Sequence, residues 1–87
     1  MNAYEFEEQV WKKEKVRIVV RAPWSATVDK YDYEKAAEER MRVTKFLELR
    51  ILPKIKGNEA VVVHGNGSLP NGNTQLRSLR VSYRNDS

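Results

Sequence analysis

The chain contains no cysteine and only one histidine among its 87 residues. Without cysteine it cannot form a disulfide, a thiolate zinc site or a cysteine nucleophile, and its composition gives no sign of export. No apolar run approaches the roughly 20 residues that span a bilayer, and the first residues are acidic and polar, unlike a signal peptide. These absences favour a cytoplasmic protein without a membrane partner.

Length and composition favour one small domain. Hydrophobic residues make up 40% of the chain and charged residues 32%, which is typical of a folded protein with a strongly charged surface. A chain of this length buries roughly 60% of its unfolded surface, enough for a modest core. We therefore expect a single domain over residues 1–87, with 85–87 as a frayed tail.

Charge is distributed unevenly along the chain, which carries a formal net charge of +4. The side chains of residues 1–11 include three acids and no base, whereas residues 12–21 carry five bases against one acid. Residues 76–84 add three arginines and no acid. Two separate basic segments indicate an anionic partner.

The first third of the chain predicts a helix followed by a strand. Asn2 is a suitable N-cap for a helix over residues 3–14, with Glu5 in the first turn. Residues 15–22 alternate apolar and mostly basic side chains and are rich in β-branched residues, which predicts a half-buried strand. Pro23 ends this strand.

The remainder predicts a long helix and a hairpin. Helix-forming composition over residues 31–55 predicts a long central helix that Pro53 ends or kinks. Residues 59–64 and 76–84 have the pattern of two strands. The predicted fold is therefore a two-layer α+β domain in the order α-β-α-β-β, with a three-stranded sheet, a C-terminal β-hairpin and a long central helix.

The stretch HGNGSLPNGNTQ, residues 64–75, holds three of the four glycines. Its spacing satisfies neither the P-loop nor the dinucleotide-binding pattern, because no lysine follows and a strand is predicted next. We interpret it as a long hairpin tip, in which Asn66-Gly67 and Asn71-Gly72 supply positive φ angles. As an exposed neutral loop it is also a candidate contact for a partner through three side chains: Asn66, Asn71 and Asn73.

The sequence contains no convincing catalytic or metal-binding set. His64 lacks the further ligands that a metal would need, and a histidine that stabilises a turn is the simpler interpretation. The glutamate clusters follow helix surfaces and are interleaved with bases, so solvated faces are favoured over a buried catalytic pair. We therefore predict a non-enzymatic protein with no catalytic residue, no metal and no cofactor.

An arginine stripe is the strongest functional signal. If residues 15–22 and 76–84 are strands, alternate side chains place four arginines on one open sheet face, and guanidinium groups match phosphate oxygens. Nucleic acid or a nucleoprotein surface is the leading partner. The predicted contacts are Arg17, Arg21, Arg80 and Arg84, extended by Lys12, Lys13 and Lys15, with Trp24 as the aromatic residue free to stack.

Two other interpretations of these surfaces stay open. Exposed sheet faces are commonly polar, so the arginines also fit a solvated face with no partner. The wide apolar arc of the predicted long helix is formed by Val43, Phe46, Leu49 and Leu52. Packing against the N-terminal helix is its simpler interpretation, and the alternative is that the arc, with Trp24, contacts a protein partner or a second copy of the chain. In that case the chain is an inhibitor or adaptor that uses the hairpin loop and the long helix, for example a small phage- or plasmid-encoded antagonist of a host nucleic-acid-processing complex.

Overall fold

A computed structural model of the chain describes residues 1–23 and 25–84. Within these ranges the protein forms three α-helices and one two-stranded antiparallel sheet, in the order α-β-α-β-α. Trp24 and the predicted frayed tail 85–87 lie outside the described residues. The elements are α1 (Ala3–Glu14), β1 (Arg17–Arg21), α2 (Val43–Phe46), which continues as a π-helical turn (Leu47–Ile51) and a 3₁₀ turn (Leu52–Lys54), β2 (Glu59–Val63) and α3 (Leu76–Arg84).

The structure confirms α1 with the predicted ends. The Asn2 side chain accepts a hydrogen bond from the backbone N–H of Glu5 at 2.8 Å, so it satisfies one of the free donors of the first turn. Phe6, Val10 and Glu14, four residues apart, form the buried face of the helix. A glutamate therefore completes an otherwise apolar stripe.

The sheet pairs β1 with β2 in an antiparallel register that runs from Arg17 opposite Val63 to Arg21 opposite Glu59. The predicted alternation along β1 is confirmed. Ile18 and Val20 are buried against the core, whereas the residues between and beside them are exposed. No helix within residues 1–23 and 25–84 is long and apolar enough to cross a membrane.

The predicted long central helix is wrong, because residues 29–42 form no helix. Their backbone donors bind side chains of α1 instead: the N–H of Tyr31 donates to Gln9 at 2.9 Å, and the N–H of Ala37 donates to Glu14 at 2.7 Å. Tyr31 and Ala37 are both buried, and their spacing of six residues does not fit one helix face. Tertiary contacts have overridden helix propensity in this segment.

Within the predicted long helix, helical structure begins only at Val43. It changes from α-helical to π-helical at Leu47, before Pro53. Proline has no N–H, and its ring crowds the carbonyl four residues earlier, which here is that of Leu49. The π-helical turn widens the chain around this point, and the Leu49 carbonyl accepts a hydrogen bond from the Tyr33 hydroxyl at 3.2 Å. The apolar side chains predicted to share one face of a long helix therefore do not share one environment. Val43 and Phe46 are buried, whereas Leu49 and Leu52 are exposed.

The predicted C-terminal strand, and with it the β-hairpin and the third strand of the sheet, is also wrong. Residues 76–84 form α3, in which Leu76 and Leu79 are fully buried and Tyr83 is half-buried. These positions follow helical spacing. Val81, which the strand pattern placed on the core face, is exposed.

The glycine-asparagine stretch is therefore the connection between β2 and α3. Gly67 has the predicted positive φ of +88°, but Gly72 does not. Gly72 is favoured for a steric reason, because a side chain there would meet the hydroxyl of Thr44. The two residues are close because the segment that leads to α3 forms backbone hydrogen bonds with the start of α2. The N–H of Thr44 donates to the Gly72 carbonyl at 3.0 Å, and the N–H of Val43 donates to the Thr74 carbonyl at 2.9 Å.

The buried carboxylate of Glu14 joins four parts of the chain. It accepts hydrogen bonds from Arg50 at 2.8 Å and Arg80 at 3.0 Å, from the hydroxyl of Tyr31, and from the backbone N–H of Ala37. Arg80 also donates to the carbonyls of Glu14 and Ala37. Because an unpaired buried carboxylate is very costly, the position of α3 depends on this network.

We predict that Glu14→Gln lowers the free energy of unfolding by about 3 kcal/mol or more, because it leaves two guanidinium groups without their carboxylate. Urea unfolding monitored by circular dichroism measures the change. The matched control is Glu8→Gln on the exposed side of α1, for which we expect a change within about 0.5 kcal/mol. Equal losses in the two variants would contradict the role given to Glu14.

Burial and the hydrogen bond to Glu14 raise the pKa of Tyr31 well above its ordinary value of 10.0. The unfolded chain therefore loses this proton first, so stability is retained below about pH 10 and falls as the pH rises further. We expect Tyr31 to contribute a loss of about 1.4 kcal/mol for each pH unit above 10. Urea unfolding of wild type and Tyr31→Phe from about pH 9 to about pH 11 tests this, and parallel curves would disprove it.

Candidate functional site

The four arginines expected on one sheet face do not share a face. Arg17 and Arg21 are exposed on β1, at the two ends of the strand. Arg80 and Arg84 belong to α3, because residues 76–84 are a helix. The prediction of one basic sheet face formed by all four arginines is therefore wrong, although Arg17 and Arg21 are exposed on the sheet.

Arg80 is largely committed to the core. Its guanidinium binds the Glu14 carboxylate at 3.0 Å, and only 15% of its side-chain surface is exposed. Nε and Nη2 both donate to protein oxygens. Arg80 thus acts mainly as the counter-ion of Glu14, and the remaining bases nearby provide the charge that faces solvent.

The structure brings together aromatic and basic residues at the junction of α1 and α3. A cavity of about 420 Å³ lies there, a volume in the range of small-ligand sites. Lys15 and Arg84 are exposed at this junction, whereas Arg80 is mostly covered. The described residues that line the cavity are Trp11, Lys15, Arg80, Tyr83 and Arg84.

Two aromatic rings form a corner in this cavity. The rings of Trp11 and Tyr83 lie 5.5 Å apart between centroids, at an angle of 80°. Arg17 lies over the Trp11 ring at 4.4 Å, and the ammonium group of Lys15 is 5.6 Å from the same ring. Arg17, Lys15 and Arg84 therefore place three exposed cations around two flat apolar surfaces.

The Tyr83 ring is held in place by its hydroxyl. The hydroxyl accepts a hydrogen bond from the backbone N–H of Arg17 at 3.1 Å and donates one to the Val63 carbonyl, so it bridges the last residue pair of the sheet. Burial raises the pKa of Tyr83, and the phenol keeps the proton that it donates. The tyrosine wall of the cavity is thus fixed to both strands.

Trp11 also borders a second cleft of about 300 Å³ on the side of β1. Glu7 and Glu8 line this cleft together with Tyr4 and Arg17. The indole therefore separates a cleft of mixed charge from a basic one. An anion is favoured on the side of Lys15 and Arg84, where no acid lines the cavity.

The other sequence-predicted contacts lie elsewhere. Lys12 and Lys13 border a different cleft with Gln9 and Tyr31, and the Lys13 ammonium donates to the Glu34 carbonyl at 3.0 Å. Arg21 lies at the far end of β1, and Trp24 is outside the described residues.

The three asparagines of the β2–α3 connection have partners within the chain. Asn66 accepts from the backbone N–H of Ser68 at 2.9 Å, and Asn71 accepts from the N–H of Asn73 at 2.8 Å, so both close local turns. The Asn73 carbonyl accepts from Arg42. His64 accepts at Nδ1 from the N–H of Asn66 at 3.3 Å, consistent with the turn-stabilising role expected for it. Contact of the asparagines with a partner stays a prediction.

Sequence reasoning did not select Trp11 or Tyr83, which form the walls of the cavity. Two signals were available. Trp11 lies in the last turn of α1 and Lys15 directly follows the helix, so the two lie at the same end of it. Leu76, Leu79 and Tyr83 follow helical spacing as well as a strand pattern, and a helix would have put Tyr83 between Arg80 and Arg84 at the same end of α3.

Comparison of the chain with protein-family models, with curated proteins and with solved structures finds no match. Function must therefore be argued from the site itself.

Lys15 ends α1 in the left-handed region, with φ of 55°, where glycine is the usual residue. We predict that Lys15→Gly raises the free energy of unfolding by about 0.5–1 kcal/mol, because it relieves this conformation. Lys56→Gly is a second test of the same effect, since Lys56 has φ of 52°, although this change also removes the 3.8 Å contact of the Lys56 ammonium group with Asp29. Urea unfolding should show a gain in both variants, and absence of a gain for Lys15→Gly would contradict this expectation.

Proposed function

We propose that this protein is a non-enzymatic nucleic-acid-binding protein and that it binds through the cavity between α1 and α3. The observation that carries the proposal is the grouping of Lys15, Arg17 and Arg84 around the rings of Trp11 and Tyr83. Lysine and arginine bind phosphate oxygens, and aromatic rings stack on bases. Sites that bind single-stranded nucleic acid combine both chemistries.

The electrostatics of the surrounding surface support the same partner. Lys15 and Arg84 line the cavity on one side of Trp11, whereas Glu7, Glu8 and Arg17 border the cleft on its other side. Because no acid lines the cavity with Lys15 and Arg84, that side favours a phosphate chain.

Equilibrium binding at several salt concentrations tests the proposal. Fluorescence anisotropy of labelled oligonucleotides should show an affinity whose logarithm falls linearly with the logarithm of salt, by about 0.7–0.9 for each phosphate neutralised. Lys15→Gly and Arg84→Ala should each weaken binding severalfold and reduce this slope by about one contact. Arg80→Ala is unsuitable because it also breaks the Glu14 network.

Lys56→Gly is the control for Lys15→Gly. It removes one positive charge and one positive-φ lysine, but Lys56 precedes β2 at the end of the sheet where Glu59 faces Arg21, whereas Lys15 lies at the opposite end. We expect wild-type affinity and slope for Lys56→Gly. Equal weakening of the two variants would mean that only net charge matters, and absence of binding at low salt would overturn the proposal.

A protein partner is a second candidate, favoured by one observation. Leu49 and Leu52, on the turns that follow α2, are 52% and 44% exposed. Two exposed leucines three residues apart would contribute to a contact surface if they belong to a larger apolar patch. A homodimer through the predicted long helix is no longer proposed, because that helix does not form. A smaller contact through Leu49 and Leu52 predicts that the protein retains a partner from nuclease-treated extract and that Leu49→Asp abolishes this retention.

A further inference from the structure

The cavity between α1 and α3 differs in charge between its floor and its rim. At the floor the Arg80 side chain is only 15% exposed, and its guanidinium donates to the Glu14 carboxylate, which it shares with Arg50, and to two backbone carbonyls. Little of its charge and few of its donors therefore face a ligand. At the rim Lys15 and Arg84 are exposed, and neither is among the residues that form an ion pair within the described ranges. A ligand that fits this arrangement has an uncharged part inside and an anionic part outside.

The walls of the cavity favour a flat group inside. Trp11 and Tyr83 stand at 80° to each other, so a planar ligand in the corner stacks on one ring and presents its own edge to the face of the other. The double hydrogen bond of the Tyr83 hydroxyl keeps its ring in this orientation before any ligand arrives. The cavity volume of about 420 Å³ is sufficient for one base and its sugar.

We infer that the cavity takes one unpaired nucleobase, with the phosphates beside it on Lys15 and Arg84, and that the protein therefore binds single strands in preference to duplex. This inference rests on the proposed function and specifies its substrate class. In a duplex both faces of each base are stacked and its edge is paired, so entry into the cavity would first require unstacking and unpairing. A single strand does not require unpairing.

Three labelled probes of equal length separate base insertion from phosphate binding: oligothymidylate, a strand of the same backbone with abasic sites throughout, and a blunt duplex. At one salt concentration we expect oligothymidylate to bind the wild-type protein about tenfold more tightly than the abasic strand, since stacking of one base contributes that much. The duplex should also bind more weakly than oligothymidylate. Wild-type protein is used, so the result does not depend on a variant that fails to fold.

A fluorescence measurement locates the base. In the Trp24→Phe variant Trp11 is the only tryptophan, because the chain has two. Oligothymidylate should quench its emission, and the abasic strand at saturating concentration should leave the emission nearly unchanged. The Tyr83→Leu variant, which loses one wall, should bind both strands with similar affinity, and its unfolding curve shows whether it is folded.

The possible results distinguish the two proposals. Equal affinity for oligothymidylate and the abasic strand, or duplex binding as tight as single-strand binding, would overturn base insertion while nucleic-acid binding stands. Absence of binding to all three probes at low salt would overturn the proposed function and this inference together. Tighter binding of oligothymidylate with quenching of Trp11 would support both.

Discussion

The fold depends on one buried negative charge. Glu14 ends α1 on the same face as Phe6 and Val10, and its carboxylate is only tolerable in the core if cations and hydrogen-bond donors reach it. Arg50 comes from the π-helical turn and Arg80 from α3, which are separated from Glu14 by 36 and 66 residues. Replacing such a network by apolar side chains is often neutral for stability. We infer that its main effect here is on specificity, because few arrangements of these segments would bring both arginines to one carboxylate.

The same network determines which charges remain for a ligand. By drawing Arg80 into the core it fixes α3 against the end of α1, and so places Tyr83 beside Trp11 and leaves Arg84 at the surface near Lys15. Because Arg80 is covered and bonded within the core, the exposed positive charge of the cavity lies at its rim, on Lys15 and Arg84. The difference between floor and rim is therefore a consequence of the hydrogen bonding of the core.

Much of the first third of the structure could be predicted from sequence, because local signals decide it. Asn2 caps α1, and the alternation in β1 survives in its burial pattern. The errors came where a non-local contact decides between two allowed patterns. The stretch LRSLRVSYR fits a strand through Leu79, Val81 and Tyr83 and equally a helix through Leu76, Leu79 and Tyr83. Residues 29–42 favour helix by composition, but Gln9 and Glu14 bind two of their backbone donors. No local sequence pattern predicts the pairing of Arg80 with Glu14, which are 66 residues apart. The position of Glu14 four residues after Val10 was nevertheless a signal that its charge would be buried.

The uneven distribution of charge over residues 1–21 corresponds to a difference in charge between the two sides of Trp11. Acids precede this residue and bases follow it in the sequence, and in the fold its ring has Glu7 and Glu8 on one side and Lys15 on the other. Lys15 also occupies a left-handed backbone position at the end of α1, where glycine would serve the helix better. An exposed lysine held in an unfavourable conformation has no role in the packing of the core. Under the proposed function a phosphate beside the cavity would give that lysine a role, and Glu7 and Glu8 would disfavour a strand on the other side of the indole.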